Sequence, residues 1–242
     1  MNKNNDIDLS VVLPCYNQAK LLKRSVIEIK KYLDLTNLNY EIILAEDGST
    51  DNTPQIAKEL SEKDESVLWL HVEDKLGRGQ AVENAIRLSR GKYVGYIDVD
   101  LSTPPYYIIP AIHYIEKGYD VVNAHRIYKL RLGILLRWFL SKGYSKISRI
   151  ILGTHLKDTE SGFKFFRRSS IYPILNQIQD RHWFWDTEIM VLSYLEKLKI
   201  KELPSVFIRK DEQSSTVNIL SDTKTYFINL WKFRSGIKKI KR

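Results

Sequence analysis

The chain has 242 residues, 43% hydrophobic and 28% charged, a balance that allows a packed core and excludes wholesale disorder. Its formal net charge is +9, and a single cysteine, Cys15, excludes an internal disulfide. The lone cysteine and a polar opening, in place of a basic-then-apolar leader, set the expectation of a reducing, cytoplasmic location.

In chain order, the first half alternates short apolar runs with helical patterns. Residues 9–13 read as a strand, Leu22, Val26, Ile29 and Leu33 as one face of a helix, and residues 41–45 as a second strand. Helix at 54–63, strand at 67–72, helix at 80–89, strand at 93–97, helix at 104–117 and strand at 121–124 follow. Such alternation predicts an α/β domain with a mainly parallel central sheet flanked by helices. In sheets of that kind ligands bind at the carboxyl ends of the strands. Pro14, Tyr16 and Asn17 follow the first strand, Glu46 and Asp47 the second, Asp98 and Asp100 the run at 93–97, and Arg126 the last.

The second half is less regular. Residues 130–152 mix Leu, Ile, Trp and Phe with Lys and Arg, and no stretch reaches the roughly 18–20 uncharged apolar residues of a spanning helix. The pattern predicts one or two amphipathic helices, broken near Gly143, that either lie on a membrane surface or pack on the core with a basic outer side.

Charge is unevenly spread. Residues 121–157 and 232–242 hold 14 of the 38 Lys and Arg with no acid, which leaves a body of 24 cations against 29 acids. Two basic patches on a mildly acidic body attract nucleic acid, anionic lipid or phosphorylated substrate, and charge alone does not choose among them.

The acids at the strand ends narrow the choice. Asp98 and Asp100, two apart at a strand end, form a hard-oxygen pair of the kind that holds Mg2+ or Mn2+ together with a ligand's phosphates. The segment Glu46-Asp47-Gly48-Ser49-Thr50-Asp51 serves either as a turn and helix cap or as a carboxylate site for a base or ribose. Leu76-Gly77-Arg78-Gly79 opens a helix where backbone donors and Arg78 can meet phosphate. The five histidines show no metal-ligand spacing. A nucleic-acid-binding protein would have no use for these acids, so no nucleic-acid partner is expected.

Taken together, these segments resemble the family 2 glycosyltransferases of the GT-A (nucleotide-diphospho-sugar transferase) fold. Pro14-x-Tyr16-Asn17, Glu46 to Asp51, Leu76-Gly77-Arg78-Gly79-x-Ala81 and Asp98-x-Asp100 occur in the family's order and spacing. His125-Arg126, Asp158-Thr159-Glu160-Ser161-Gly162-Phe163-Lys164 and Trp185-Asp186-Thr187-Glu188 look like the branch that makes polyprenyl-phosphate sugars. Within it the chain is most similar to dolichyl-phosphate β-glucosyltransferases, with dolichyl-phosphate mannose synthases next.

The resemblance implies one GT-A domain over residues 1–217, containing the basic amphipathic segment at 127–157, and a basic-aromatic helix or tail at 218–242 without a transmembrane span. It implies a nucleotide-diphosphate sugar, UDP-glucose or GDP-mannose, near Pro14, Tyr16, Asn17, Glu46, Asp47 and Arg78. Asp98 and Asp100 would hold Mg2+ or Mn2+ by the donor's diphosphate, and Arg126, Arg131 and Arg209 the acceptor phosphate. Asp158, Asp186 and Glu188 stand either as bases or as structural carboxylates. Glu46 replaces a usual Asp, Gln18 a frequent acid, and Thr216 an expected cation, with Arg209 or Lys210 as substitutes.

The implied reaction inverts a hexose, glucose favoured, onto a polyprenyl phosphate at the cytoplasmic membrane face, with the protein peripherally attached. A phosphate monoester has a second pKa of about 6, so this acceptor needs little deprotonation and no indispensable base is expected. The alternative is a soluble family 2 enzyme acting on a saccharide hydroxyl, which would need a base such as Asp158 or Asp186.

Overall fold

The computed structural model describes residues 6–128, 149–208, 226 and 228–236. Among them seven strands form one sheet in the order β3-β2-β1-β4-β6-β5-β7. The strands are β1 (Leu9–Cys15), β2 (Tyr40–Asp47), β3 (Val67–Val72), β4 (Tyr93–Ile97), β5 (Val121–Tyr128), β6 (Phe163–Arg167) and β7 (Ile200–Phe207). The helices are α1 (Leu22–Leu33), α2 (Thr53–Lys63), α3 (Arg78–Leu88), α4 (Ile108–Glu116), α5 (Arg168–Leu175) and α6 (Trp185–Leu195).

Helices cover both faces, which is why the strands read as continuous apolar runs. In β1, Leu9, Val11 and Leu13 pack with α1 residues Leu22, Val26, Ile29 and Leu33, while Val12 faces the cluster of Val82, Ile86, Trp185 and Ile189 from α3 and α6. Helix α6 is buried from Trp185 to Ser193, because residues of the C-terminal helical segment 228–236 cover its outer side: Leu230 joins Phe184, Val191 and Leu152 in a third cluster.

Strands β1 to β4 are mutually parallel, as the alternation predicts. The sheet departs from that pattern at β6, which runs antiparallel between β4 and β5. Its insertion sets Lys164 opposite Tyr96 and Phe163 opposite Ile97, and so delivers Gly162 to the end of β4.

Two expected strand ends shift, and a third holds. Strand β5 runs four residues beyond Ala124, because β7 pairs with it in parallel as far as Tyr128, so Arg126 lies within a strand and not after one. Strand β2 extends through Glu46 and Asp47 beside β3. Strand β4 stops at Ile97 as expected, so Asp98 and Asp100 belong to a turn, with Leu101 at a φ of +52° and its N–H donating to the Asp98 carbonyl at 2.9 Å. Most of the expected amphipathic segment (129–148), the 217/218 boundary, Arg131 and Arg209 lie outside the described residues.

Close packing at the centre of the sheet generates one test. A Cβ at Gly95 would lie 2.3 Å from the ring of fully buried Phe165. Gly95→Ala is therefore expected to cost about 1–3 kcal/mol, as overpacked cores do, seen as a lower urea midpoint. An unchanged midpoint would show that the ring can retreat.

Candidate active site

The loops after β1 and β2 form one unit. Asn17 turns the chain at a φ of +53°, a region that Asn tolerates better than most side chains. Its Oδ1 accepts from the N–H of Thr50 at 2.8 Å, and its own N–H donates to Ser49 Oγ at 2.9 Å. Pro14 and Tyr16 sit half-buried at the rim, with Lys75 Nζ 3.5 Å from the centre of the Tyr16 ring.

The two acids that end β2 face inward. Buried Glu46 accepts the N–H of Ser49 at 2.6 Å through Oε1 and meets His71 Nδ1 at 2.5 Å through Oε2. Asp47 accepts the N–H groups of Leu76 at 2.8 Å and Gly77 at 3.0 Å, which fixes the loop leading into α3. Gly77 has a φ of +111°, and a Cβ there would lie 2.4 Å from His182 Nδ1. Only glycine meets both demands.

That loop places Arg78 at the first position of α3, between two carboxylates. Its Nε and one terminal nitrogen donate to Asp98 Oδ1 at 3.2 and 2.6 Å, and the other donates to Asp186 Oδ2 at 2.7 Å. Asp186 also accepts from the Tyr96 hydroxyl and from Lys164 Nζ, the latter at 3.2 Å. Lys164 is fully buried, and its ammonium additionally donates to the Ser161 carbonyl. Each charge is thus matched, the condition for keeping ions out of water. Burial pushes the Asp186 carboxyl up, but Arg78 and Lys164 outweigh it and hold the group below the usual carboxylate range.

Asp98 is the open end of this network, its side chain 38% exposed against 12% for Arg78. Burial raises its pKa, and the charges of Asp100 and Asp186 add to the rise against the pull of Arg78. A methyl group at Gly162 would lie 1.6 Å from Asp98 Oδ2, so the glycine is what lets β6 approach this carboxylate. Asp100 accepts from the Ser102 N–H at 2.8 Å and its hydroxyl at 2.6 Å.

A second cluster stands on β5. The Arg126 side chain grips Asp158 with two bonds of 2.7 and 2.9 Å and reaches Glu160 Oε2 at 3.5 Å. Burial acts to raise Asp158, and Arg126 overrides it to leave the carboxyl below its ordinary range. Glu160 goes the other way: burial, with the charges of Asp158 and Asp186, outweighs Arg126 and pushes it up to about 7. The two clusters therefore lie within electrostatic reach of each other. Glu188 stands apart, its Oε2 accepting the N–H groups of Gln179 at 2.7 Å and Asp180 at 3.0 Å to brace the loop before α6.

Among the described residues no group of three or more His, Cys, Asp or Glu is gathered to hold a metal ion. The pair Asp98 and Asp100 nevertheless suits a hard divalent cation that draws its remaining ligands from a bound phosphate. Asp100 also sets a second negative charge beside Asp98, which such a cation would offset.

Tyr96, Lys164 and Glu160 are site residues that the strand-end rule does not find. Lys164 had a signal, as the lone cation among the aromatic residues Phe163, Phe165 and Phe166, since lysine is seldom fully buried unpaired.

An open α/β sheet with acids and an arginine gathered at the ends of parallel strands offers a ligand cleft where such sheets bind their ligands. The sequence profile of glycosyl transferase family 2 matches residues 10–175, and the chain belongs to that family; it is a glycosyltransferase. It is 34% identical over 203 residues to the glycosyltransferase AglD of Haloferax volcanii, which covers 82% of this chain and 32% of AglD, so the chain spans about a third of that relative's length. It is 28% identical over 261 residues to the dolichyl-phosphate beta-glucosyltransferase of Dictyostelium discoideum, covering 97% of this chain and 80% of that one. Among solved structures, the glucosyl-3-phosphoglycerate synthase of Mycobacterium tuberculosis, crystallised with Mn2+, UDP and glucosyl-3-phosphoglycerate, superposes with a TM-score of 0.70 at 19% identity, covering 95% of this chain and 80% of that one. The fold is GT-A.

Glu160 makes stability depend on pH. Its carboxyl releases a proton at about 7 in the fold but at 4.5 when unperturbed, so the fold binds the extra proton between these values. That contribution is complete below about 4.5 and is lost as pH rises through about 7. Melting curves of Glu160→Gln and the parent at pH 5 and pH 8 are expected to show the variant gaining on the parent at pH 8. Equal pH dependence in both would show that Glu160 titrates normally.

Proposed function

We propose that the protein transfers a hexose, glucose favoured, from a nucleotide-diphosphate sugar to a polyprenyl phosphate, with inversion, at the cytoplasmic surface of a membrane. The observation that carries this reading is the state of the acids. Asp158 and Asp186 are each locked to cations and held below the ordinary carboxylate range, a poor condition for a general base. A phosphate monoester needs no such base. The dolichyl-phosphate glucosyltransferases among the relatives point to the same acceptor.

In this reading the donor lies across the ends of β1, β2 and β4. Tyr16 and the rim at Pro14 flank the base, and the Asn17 loop, with Glu46 and Asp47 beneath it, keeps that rim in shape. Arg78 offers its guanidinium to the departing diphosphate. Asp98 and Asp100 are the residues that would hold Mg2+ or Mn2+, which as a Lewis acid stabilises negative charge on a leaving diphosphate. Arg126, already oriented by Asp158, faces the acceptor phosphate, a role that Arg131 and Arg209 would share.

Attachment to a surface is supported by exposed apolar residues near cations. Trp231 is 67% exposed beside Lys232, and Ile150 is 71% exposed next to Arg149. Among the described residues no helix is long and apolar enough to cross a membrane. Each cation near an anionic surface contributes about 1 kcal/mol, a contribution that salt screens. Washing membranes with high salt is expected to release most of the protein, and full retention would argue for a membrane partner or deeper insertion.

One observation favours transfer to a saccharide hydroxyl instead: Glu160, at about 7, has the pKa of a working base. Purified protein with Mn2+, a short polyprenyl phosphate and labelled UDP- and GDP-sugars separates the readings. Label is expected in the lipid phase, cut at least about a hundredfold in Asp100→Asn and within about tenfold of the parent in Glu160→Gln. Label in an added saccharide only, with a loss of about 10²–10⁴ in Glu160→Gln, would move the assignment to a hydroxyl acceptor.

A further inference from the structure

Arg78 holds the oxygen that a cation would need. Both its Nε and a terminal nitrogen converge on Asp98 Oδ1, at 3.2 and 2.6 Å. The other oxygen, Oδ2, is packed against Gly162, where a methyl group would lie 1.6 Å away. We propose that Arg78 is an internal counter-ion that must leave Asp98 before a divalent cation settles there, and that its transfer to a nucleotide's diphosphate makes cation binding depend on the nucleotide. The proposal rests on the reading of Asp98 and Asp100 as the cation site.

The surroundings make this exchange a side-chain movement. Cβ atoms at Gly77 and Gly79 would lie 2.4 Å from His182 Nδ1 and 2.5 Å from Trp185 Cβ, so the backbone on either side of Arg78 is confined. Asp186 stays bonded to the third guanidinium nitrogen at 2.7 Å and is itself fixed by Tyr96 and Lys164. The rings of Tyr96 and Trp183 lie 5.4 and 5.2 Å from the guanidinium carbon. Arg78 can therefore give up Asp98 while retaining one anionic partner and its aromatic contacts.

What it cannot do cheaply is give up Asp98 with nothing in return. Its side chain is 12% exposed, and two donors stripped of their acceptor in so dry a place carry a desolvation penalty. A cation arriving alone also meets the guanidinium charge at the same carboxylate. A diphosphate changes both conditions, since it supplies anionic acceptors for the freed donors and oxygens for the cation. The two ligands then favour one another, and the coupling is reciprocal.

Manganese binding, read as the loss of the free Mn2+ electron-resonance signal, tests this without turnover. The parent is expected to bind Mn2+ weakly alone, and UDP or GDP to tighten binding by about 5–150-fold, the usual span of coupling. Arg78→Gln is expected to bind Mn2+ without nucleotide at least about tenfold more tightly than the parent, with the nucleotide's effect shrinking accordingly. Arg78→Lys, a point charge that cannot span both carboxylates, is expected to fall between them and serves if the Gln variant does not fold, as judged by circular dichroism. Nucleotide-independent Mn2+ binding by the parent, or an undiminished nucleotide effect in the folded variants, would overturn the counter-ion role and leave the cation site standing. Absence of Mn2+ binding to the parent with either nucleotide would overturn the role and the cation site together.

Discussion

The buried carboxylate of Asp186 is the point on which the site depends, because three partners from three separate elements meet there. Arg78 comes from the start of α3, Tyr96 from the middle of β4 and Lys164 from β6. Removing any one partner leaves a charge or donor unpaired in a dry interior, the costly half of a broken ion pair. The charges are therefore mutually obligatory. They weld the helix that carries Arg78 to the antiparallel strand that closes the site, and the exposed Asp98 inherits its orientation from that frame.

The same logic separates carboxylates that brace from those that can act. Asp47, Asp158, Asp186 and Glu188 spend their oxygens on backbone N–H groups or on buried cations, and Asp158 and Asp186 are shifted down accordingly. Asp98 and Glu160 are shifted up chiefly by burial, which one arginine opposes and the neighbouring acids reinforce. Sequence spacing assigns all these acids the same weight, whereas their partners divide them.

Much of the site was legible before the fold. The alternation of strands and helices marked the carboxyl ends of β1, β2 and β4, and the structure draws Asn17, Glu46, Asp47, Arg78, Asp98 and Asp100 to those ends or to the loops that shape them. Less legible were residues whose role arises from pairing across the sheet. Nothing local to Tyr96 or Glu160 indicates that Asp186, 90 and 26 positions away, sets their environment. Arg126 was expected just after a strand, but its place inside β5 follows from pairing with β7, which lies some 80 residues further on.

The sequence by itself determined the class: burial on both faces of a parallel sheet demands continuous apolar strands, and the chemistry at their ends demands acids, glycines and an arginine in that order. Tertiary structure alone decided which acids are neutralised. An antiparallel β6 inserted between β4 and β5 carries Lys164 and Gly162 to the end of β4, and no local periodicity encodes that long-range contact. Burial then amplifies it, because in a low-dielectric interior the identity of the nearest counter-ion, more than the residue type, fixes what a carboxylate does.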